Sequence, residues 1–283
     1  MSRKIVSMKG GLGNQLFQIA FVDFLCQQLE ERVIIDVSWY FSRHKDASRE
    51  LSALSLINQY KSKSFSRFFH FYLRKFRSGT IFIDNEKVDY LNPGIVKFRY
   101  FDGFFQSKLL APRVFPILDE KYRRCLEGPS EDRVAVHVRR GDYLNKNTSD
   151  HHGLCEIEYF ERAVEHFLTI DSKLEVDVFS DDQEFAIEAQ KRGWNFKLNQ
   201  TSPLEDIFLM SHYNYIVISN STFSWWATQF SRDMKRSQKV IAPYPWLKSP
   251  GRHESNLYQE DWLILTKTTD DAGNIKTVDY FGI

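Results

Sequence analysis

Between residues 134 and 230, short apolar runs alternate with amphipathic segments of helical period, which confines the chain to a parallel sheet with helices on its faces. Residues 134–138, 174–179, 195–198 and 215–218 read as strands, and residues 157–168, 182–192, 204–211 and 224–230 as helices. The N-terminal part begins the same way, with a strand at 4–8, a glycine-rich turn at 9–14, a helix at 16–29 and a strand at 33–37. Leu16, Ile19, Ala20, Phe24 and Leu25 give that helix its apolar face. Residues 43–77 are irregular and helical at most, 100–110 read as a strand and then a loop, and 111–126 as a helix. Gly128-Pro129-Ser130 breaks the composition and divides 1–128 from 129–283. With 283 residues there is room for two cores, so the expected architecture is α/β, two doubly wound sheets facing across a cleft. In the tail from Asp261, Asp271-Ala272-Gly273-Asn274 lies between apolar segments and reads as a β-hairpin.

A formal charge of +1 lacks the cationic field of a general nucleic-acid binder, so no nucleic-acid partner is expected. The apolar run after Met1-Ser2-Arg3-Lys4 is too short for a signal peptide, and no stretch approaches the roughly 20 apolar residues of a membrane span. Cys26, Cys125 and Cys155, odd in number and without close pairing, argue against a disulfide framework and a zinc cluster. A cytoplasmic protein is the expectation. Aromatic residues make up 15% of the chain, but rings serve sugar clefts and ordinary cores alike and decide neither.

Ligands of an open parallel sheet bind beyond the carboxyl ends of its strands, which is where His137-Val138-Arg139-Arg140-Gly141-Asp142 falls. Strand alternation puts His137 and Arg139 on one face and Arg140 on the other. Arg139 then faces the cleft, while Arg140 and Asp142 support it; the competing reading is a structural Arg-Asp network throughout. The turn from Lys9 to Gln15 offers backbone amides and a helix N-terminus to an anion, with Gly11 and Gly13 allowing close approach, or it is only a tight βα turn. Asp182 reads as a helix cap and Asp181 as the better ligand candidate, and two adjacent carboxylates are too few to hold a divalent metal. Ser219-Asn220-Ser221-Thr222-Phe223-Ser224-Trp225-Trp226 supplies hydroxyls and amides for phosphate, or a helix cap followed by a core tryptophan pair. Residues 61–77 hold six Lys or Arg and no acid among aromatic residues; such a segment either lies on an anionic membrane surface or packs its rings on its own domain.

Four of these segments together resemble the α-1,2-fucosyltransferases of glycosyltransferase family 11: GGLGNQLFQ from Gly10 to Gln18, HVRRGDY from His137 to Tyr143, FSDD from Phe179 to Asp182, and ISNSTFSWWA from Ile218 to Ala227. PYPW at Pro243 to Trp246 and EDW at Glu260 to Trp262 extend the match towards the C-terminus. The resemblance implies a GT-B-like pair of Rossmann-type domains, with 1–128 on the acceptor side and a GDP-fucose donor held mainly by 129–283, inversion at the anomeric carbon, and no required metal or cofactor. Arg139 is similar to the arginine that contacts the donor β-phosphate, and His137 to its same-face companion. Asn14 is similar to the asparagine that approaches the pyrophosphate from the opposite domain. Ser221 and Thr222, with Phe223 beside them, match donors to phosphate, Asp206 a reader of the guanine edge, and Asp181 another carboxylate of the nucleotide site.

The general base is not singled out. Asn147 stands where α-1,6 relatives have a glutamate, which leaves Asp150, His151, His152 and Glu156, of which His152 is the choice. For a bacterial member the resemblance implies a galactoside acceptor, lipid-linked at the inner face of the cytoplasmic membrane in O-antigen synthesis. The alternatives are a GDP-fucose-dependent transferase of another linkage and a non-catalytic carbohydrate-binding protein.

Overall fold

The computed structural model describes residues 4–28, 30–42, 50–57, 59–76, 79, 81–83, 93–140, 153–180, 182–197, 202–247 and 256–281. The chain divides into two compact units, Met1–Arg123 and Arg124–Ile283. The composition break at Gly128-Pro129-Ser130 falls inside the second, where Leu126 is fully buried and Arg236 donates to the carbonyls of Leu126 and Gly128.

In the first unit, β1 (Lys4–Ser7), β2 (Val33–Asp36), β3 (Lys61–Lys63), β4 (Ile81–Ile83) and β5 (Tyr100–Asp102) form a parallel sheet in the order β3-β2-β1-β5-β4. Helix α1 (Leu12–Gln28) is buried along most of its length, from Leu16 and Phe17 to Phe24 and Leu25, so it is a core helix rather than a surface one. Phe21 stacks on Phe105 at 4.0 Å between centroids. Strand β3 and helix α2 (Arg67–Phe76) give regular structure to a stretch that carries no readable apolar period: β3 is Lys-Ser-Lys and exposed throughout. The helix expected over 111–126 is broken. A 3-10 turn at Ala111–Arg113 leads into α3 (Val114–Ile117); Leu118 is extended, and α4 (Glu120–Cys125) follows. The break is fixed by Asp119, whose amide donates to Leu56 O at 2.8 Å and whose carboxylate accepts from Lys121 N at 3.1 Å as a fresh helix start.

In the second unit, β6 (Glu131–Val138), β7 (Glu175–Ser180), β8 (Asn195–Lys197), β9 (Tyr213–Val217), β10 (Lys239–Tyr244) and β11 (Leu263–Thr266) form a parallel sheet in the order β11-β10-β9-β6-β7-β8. Counted within the unit this is 3-2-1-4-5-6 read from the β8 edge, the order of the Rossmann sheet. Helices α5 (Ile157–Ile170) and α6 (Gln183–Lys191) cover the face carrying Val134, Val136, Val138 and Val178, with Tyr159, Phe160, Phe167 and Phe185 between them. The alternate residues, Ala135 and His137 among them, face α7 (Pro203–Met210) and α8 (Thr222–Asp233), where Phe208 packs on Phe230. Trp225 and Trp226 of α8 are fully buried, and Trp225 Nε1 donates to Leu257 O at 2.7 Å. The tail hairpin forms around the edge strand: Thr266 N donates to Lys276 O and Val278 N to Ile264 O, both at 2.8 Å, so β11 has a parallel partner on one side and an antiparallel return on the other.

Candidate active site

The strand order of the second unit reverses between β6 and β9, and the helices that follow these strands, α5 and α8, pack on opposite faces. That reversal is where open parallel sheets bind ligands. His137, the penultimate residue of β6, is 5% exposed; its ring stacks on Phe223 at 5.2 Å, and its Nδ1 lies 2.8 Å from Ser219 Oγ in the turn after β9. Burial, reinforced by the Arg139 guanidinium, pushes its pKa down to about 3, so the ring is neutral and acts through hydrogen bonds rather than charge. Arg139 follows β6 directly and is half-buried.

Ser221 caps α8 by accepting from Phe223 N at 3.3 Å. No acid occupies the first turn of α8, so its own side chains leave the positive end of the helix dipole uncompensated. Helix α7, by contrast, carries Glu205 and Asp206 there. Thr222 and Phe223 are half-buried at the same helix start. Asn220, 2% exposed, holds the turn in place: its Nδ2 donates to Gly153 O at 3.1 Å and to Trp246 O at 3.0 Å. Such a turn, bonded to a strand-end histidine whose ring feels the charge of Arg139, suits a phosphate group.

On the other face of β6, Arg140 lies 3.7 Å from Asp182 Oδ2 and 5.7 Å from the Phe185 ring centre. Among the described residues its acidic partner is Asp182, which also caps α6 by accepting from Glu184 N at 2.9 Å. Asp206 is half-buried in the first turn of α7, behind the reciprocal cap formed by Ser202 and Glu205. Glu156 accepts from Thr269 N at 2.7 Å and Thr269 Oγ1 at 3.1 Å, which commits its carboxylate to pinning the tail. Asp142, Asp150, His151, His152 and Asp181 lie outside the described residues. Among the described residues no group of three or more His, Cys, Asp or Glu is arranged to hold a metal.

In the first unit, Gly10 carries the turn after β1 with φ +82, and a Cβ there would meet Asn14 Nδ2 at 3.0 Å. Gly11 precedes α1 and Gly13 lies in its first turn, while Asn14 Oδ1 accepts from Gln106 Nε2 at 2.8 Å. Gly10, Ser219 and Asn220 are the positioning residues that sequence reasoning passes over. All three sit inside turns already marked, but only the fold distinguishes their partners.

Neutral His137 makes a specific prediction. A histidine in the unfolded chain protonates near 6.5 while the folded one waits until about 3, so the unfolded state takes up its proton first. The stability His137 contributes is complete above about pH 6.5 and declines as pH falls towards 3. Replacing His137 with Gln flattens that part of the dependence in urea unfolding at about pH 7.5 and about pH 5; an identical slope in the variant contradicts the assignment.

A parallel sheet in this order, with an arginine after β6 and a helix start that carries no acid of its own at the reversal point, is the frame on which α/β proteins bind nucleotides. The chain belongs to glycosyl transferase family 11, whose sequence profile matches residues 4–266. It is 26% identical over 304 aligned positions to the O-antigen biosynthesis glycosyltransferase WbnK of Escherichia coli, covering 91% of this chain and 99% of that one. It is 27% identical over 297 positions to an alpha-1,2-colitosyltransferase of Escherichia coli, covering 94% of this chain and 100% of that one. The crystal structure of fucosyltransferase NodZ from Bradyrhizobium shares the fold, with a TM-score of 0.50 and 12% identity over 99% of each chain. The architecture is thus GT-B-like α/β with two parallel sheets.

Proposed function

We propose that this glycosyltransferase moves L-fucose from GDP-β-L-fucose to the 2-hydroxyl of a galactoside, with inversion at the anomeric carbon, in the synthesis of an O-antigen or related surface glycan. The observation that carries the reading is the bond of buried His137 to the Ser219–Ser221 turn at the start of α8, with Arg139 two residues beyond His137 and its charge felt at that ring. The names of the two Escherichia coli relatives support the glycan class and the 1,2 linkage.

Breaking the glycosidic bond builds negative charge on the departing GDP, and fixed cations and amides placed in advance stabilise it. In this reading Arg139 supplies the cation, Ser221, Thr222 and the α8 amides supply hydrogen bonds, Asp206 and Asp181 hold the nucleotide, Asn14 serves the pyrophosphate, and no metal or cofactor is required. His152 is the proposed base, checked by the pH profile of His152→Ala. The test is incubation with GDP-fucose and a panel of galactosides in the presence of EDTA, with the product linkage assigned by NMR. An α-1,2-fucosylated galactoside is expected; another linkage or no product removes the reading. One relative is named for colitose, so GDP-colitose belongs in the same panel as the competing donor.

The proposed acceptor is lipid-linked, and the enzyme works peripherally at the inner membrane face. Among the described residues no helix is long and apolar enough to cross a membrane. Support for surface contact comes from α2, where Phe68 is 76% exposed, Phe71 55% and Tyr72 41%, with Lys61, Lys63, Arg67 and Lys75 exposed around them. The opposite side of α2 is tied inward by His70, whose Nε2 lies 3.4 Å from buried Asp36. Rings exposed to this degree, set among cations, complement an anionic lipid surface. Co-sedimentation with phosphatidylglycerol vesicles is expected for the wild type and lost when Phe68, Phe71 and Tyr72 are all changed to Ser; equal partitioning of both proteins contradicts the contact.

A further inference from the structure

The carboxyl ends of β1 and β5 in the first unit are stitched together by Gln18, which is fully buried: its Oε1 accepts from Lys9 N at 3.1 Å and its Nε2 donates to Gly103 O at 2.9 Å. Directly beyond the stitch, Lys9 Nζ bonds Asp102 Oδ1 at 2.6 Å and lies 5.2 Å from the centre of the Phe104 ring. The next residue, Phe105, has φ +52, an uncommon conformation for a bulky side chain. This reversal sends the Phe105 ring into the core against Phe21 while Phe104 stays 37% exposed. The Phe104 ring in turn leans on Gly10, where an added Cβ would come within 3.3 Å of it.

A strained residue, a glycine and a buried glutamine therefore fix one outward ring beside an ion pair whose members are 26% and 24% exposed. The pair is part-buried yet keeps some surface open to solvent, so it can be reached from outside. The chemistry of the arrangement suits a ligand. A pyranose presents a face of C–H groups, which pack on an aromatic ring, and an edge of hydroxyls, which pair with a carboxylate, an ammonium or a carboxamide. Phe104 provides the first, and Asp102, Lys9 and the nearby Gln106 provide the second.

We propose that Phe104, Lys9, Asp102 and Gln106 form a platform for the pyranose ring of the acceptor. The proposal rests on the reading that the enzyme takes a sugar acceptor, and it adds where that sugar sits in the first unit. The test is saturation-transfer NMR with methyl β-galactoside and no donor, run on the full chain. Wild type and Phe104→Tyr are expected to saturate the sugar's C–H protons; Phe104→Ala and Asp102→Asn are expected to lose the effect. Equal saturation in wild type and Phe104→Ala, or none in the wild type, overturns the platform. A parallel melting series with GDP shows that each variant is folded, and it reads the donor site separately: a wild type that GDP fails to stabilise counts against the proposed donor, not against the platform.

Discussion

Replacing Arg139 with Ala is expected to lower the proposed fucosyl transfer about a thousandfold, with the melting temperature nearly unchanged. The size follows from what the position supplies. Arg139 stands where β6 gives way to the reversal point of the sheet, and its field already acts on neighbouring His137. A guanidinium offers a planar fork of donors to a diphosphate, whereas an ammonium offers a single point of charge. Arg139→Lys is therefore expected to stay about a hundredfold below wild type despite keeping the charge. Initial rates with GDP-fucose and a galactoside measure both variants, and wild-type turnover in folded Arg139→Ala removes the assignment. Arg140→Ala separates the two arginines, since among the described residues Arg140 meets Asp182 and Phe185 on the other face of β6.

Replacing Trp225 with Ala costs about 3–5 kcal/mol in urea unfolding. The indole is fully buried, packs edge-on against Trp226 at 5.5 Å between centroids, and donates to Leu257 O at 2.7 Å. The substitution leaves a cavity and an unpaired carbonyl together. Trp225→Phe keeps most of the volume and loses the hydrogen bond, so its cost is about 1–3 kcal/mol. Because the same helix begins at Ser221, the damage extends to the proposed phosphate turn. A loss below about 1 kcal/mol for the alanine variant contradicts this view of the α8 core.

The elements legible in the sequence are those whose apolar residues keep a period. Strand β6 and helix α5 stand close to where their apolar patterns put them, and Asp182 caps α6 as its place after a strand suggests. Strand β3 was illegible because Lys61-Ser62-Lys63 has no buried face; only pairing with β2 makes it a strand. The break at Leu118–Asp119 depends on a bond to Leu56, distant in sequence, which no local pattern announces. The site divides in the same way. Strand alternation suffices to separate His137 from Arg140, while the pairing of Arg140 with Asp182 and the hold of Asn220 on Gly153 and Trp246 arise from segments joined only by folding. Phe104 carried no sequence signal at all, since an exposed phenylalanine in a loop is ordinary until the backbone of Phe105 is seen.

The most direct measurement is calorimetric titration of GDP into wild type and Arg139→Ala in the presence of EDTA. Saturable binding by the wild type that is lost or sharply weakened in the folded variant is the predicted result. No binding by the wild type, or equal affinity in the two proteins, would contradict a donor site built on Arg139 and the start of α8.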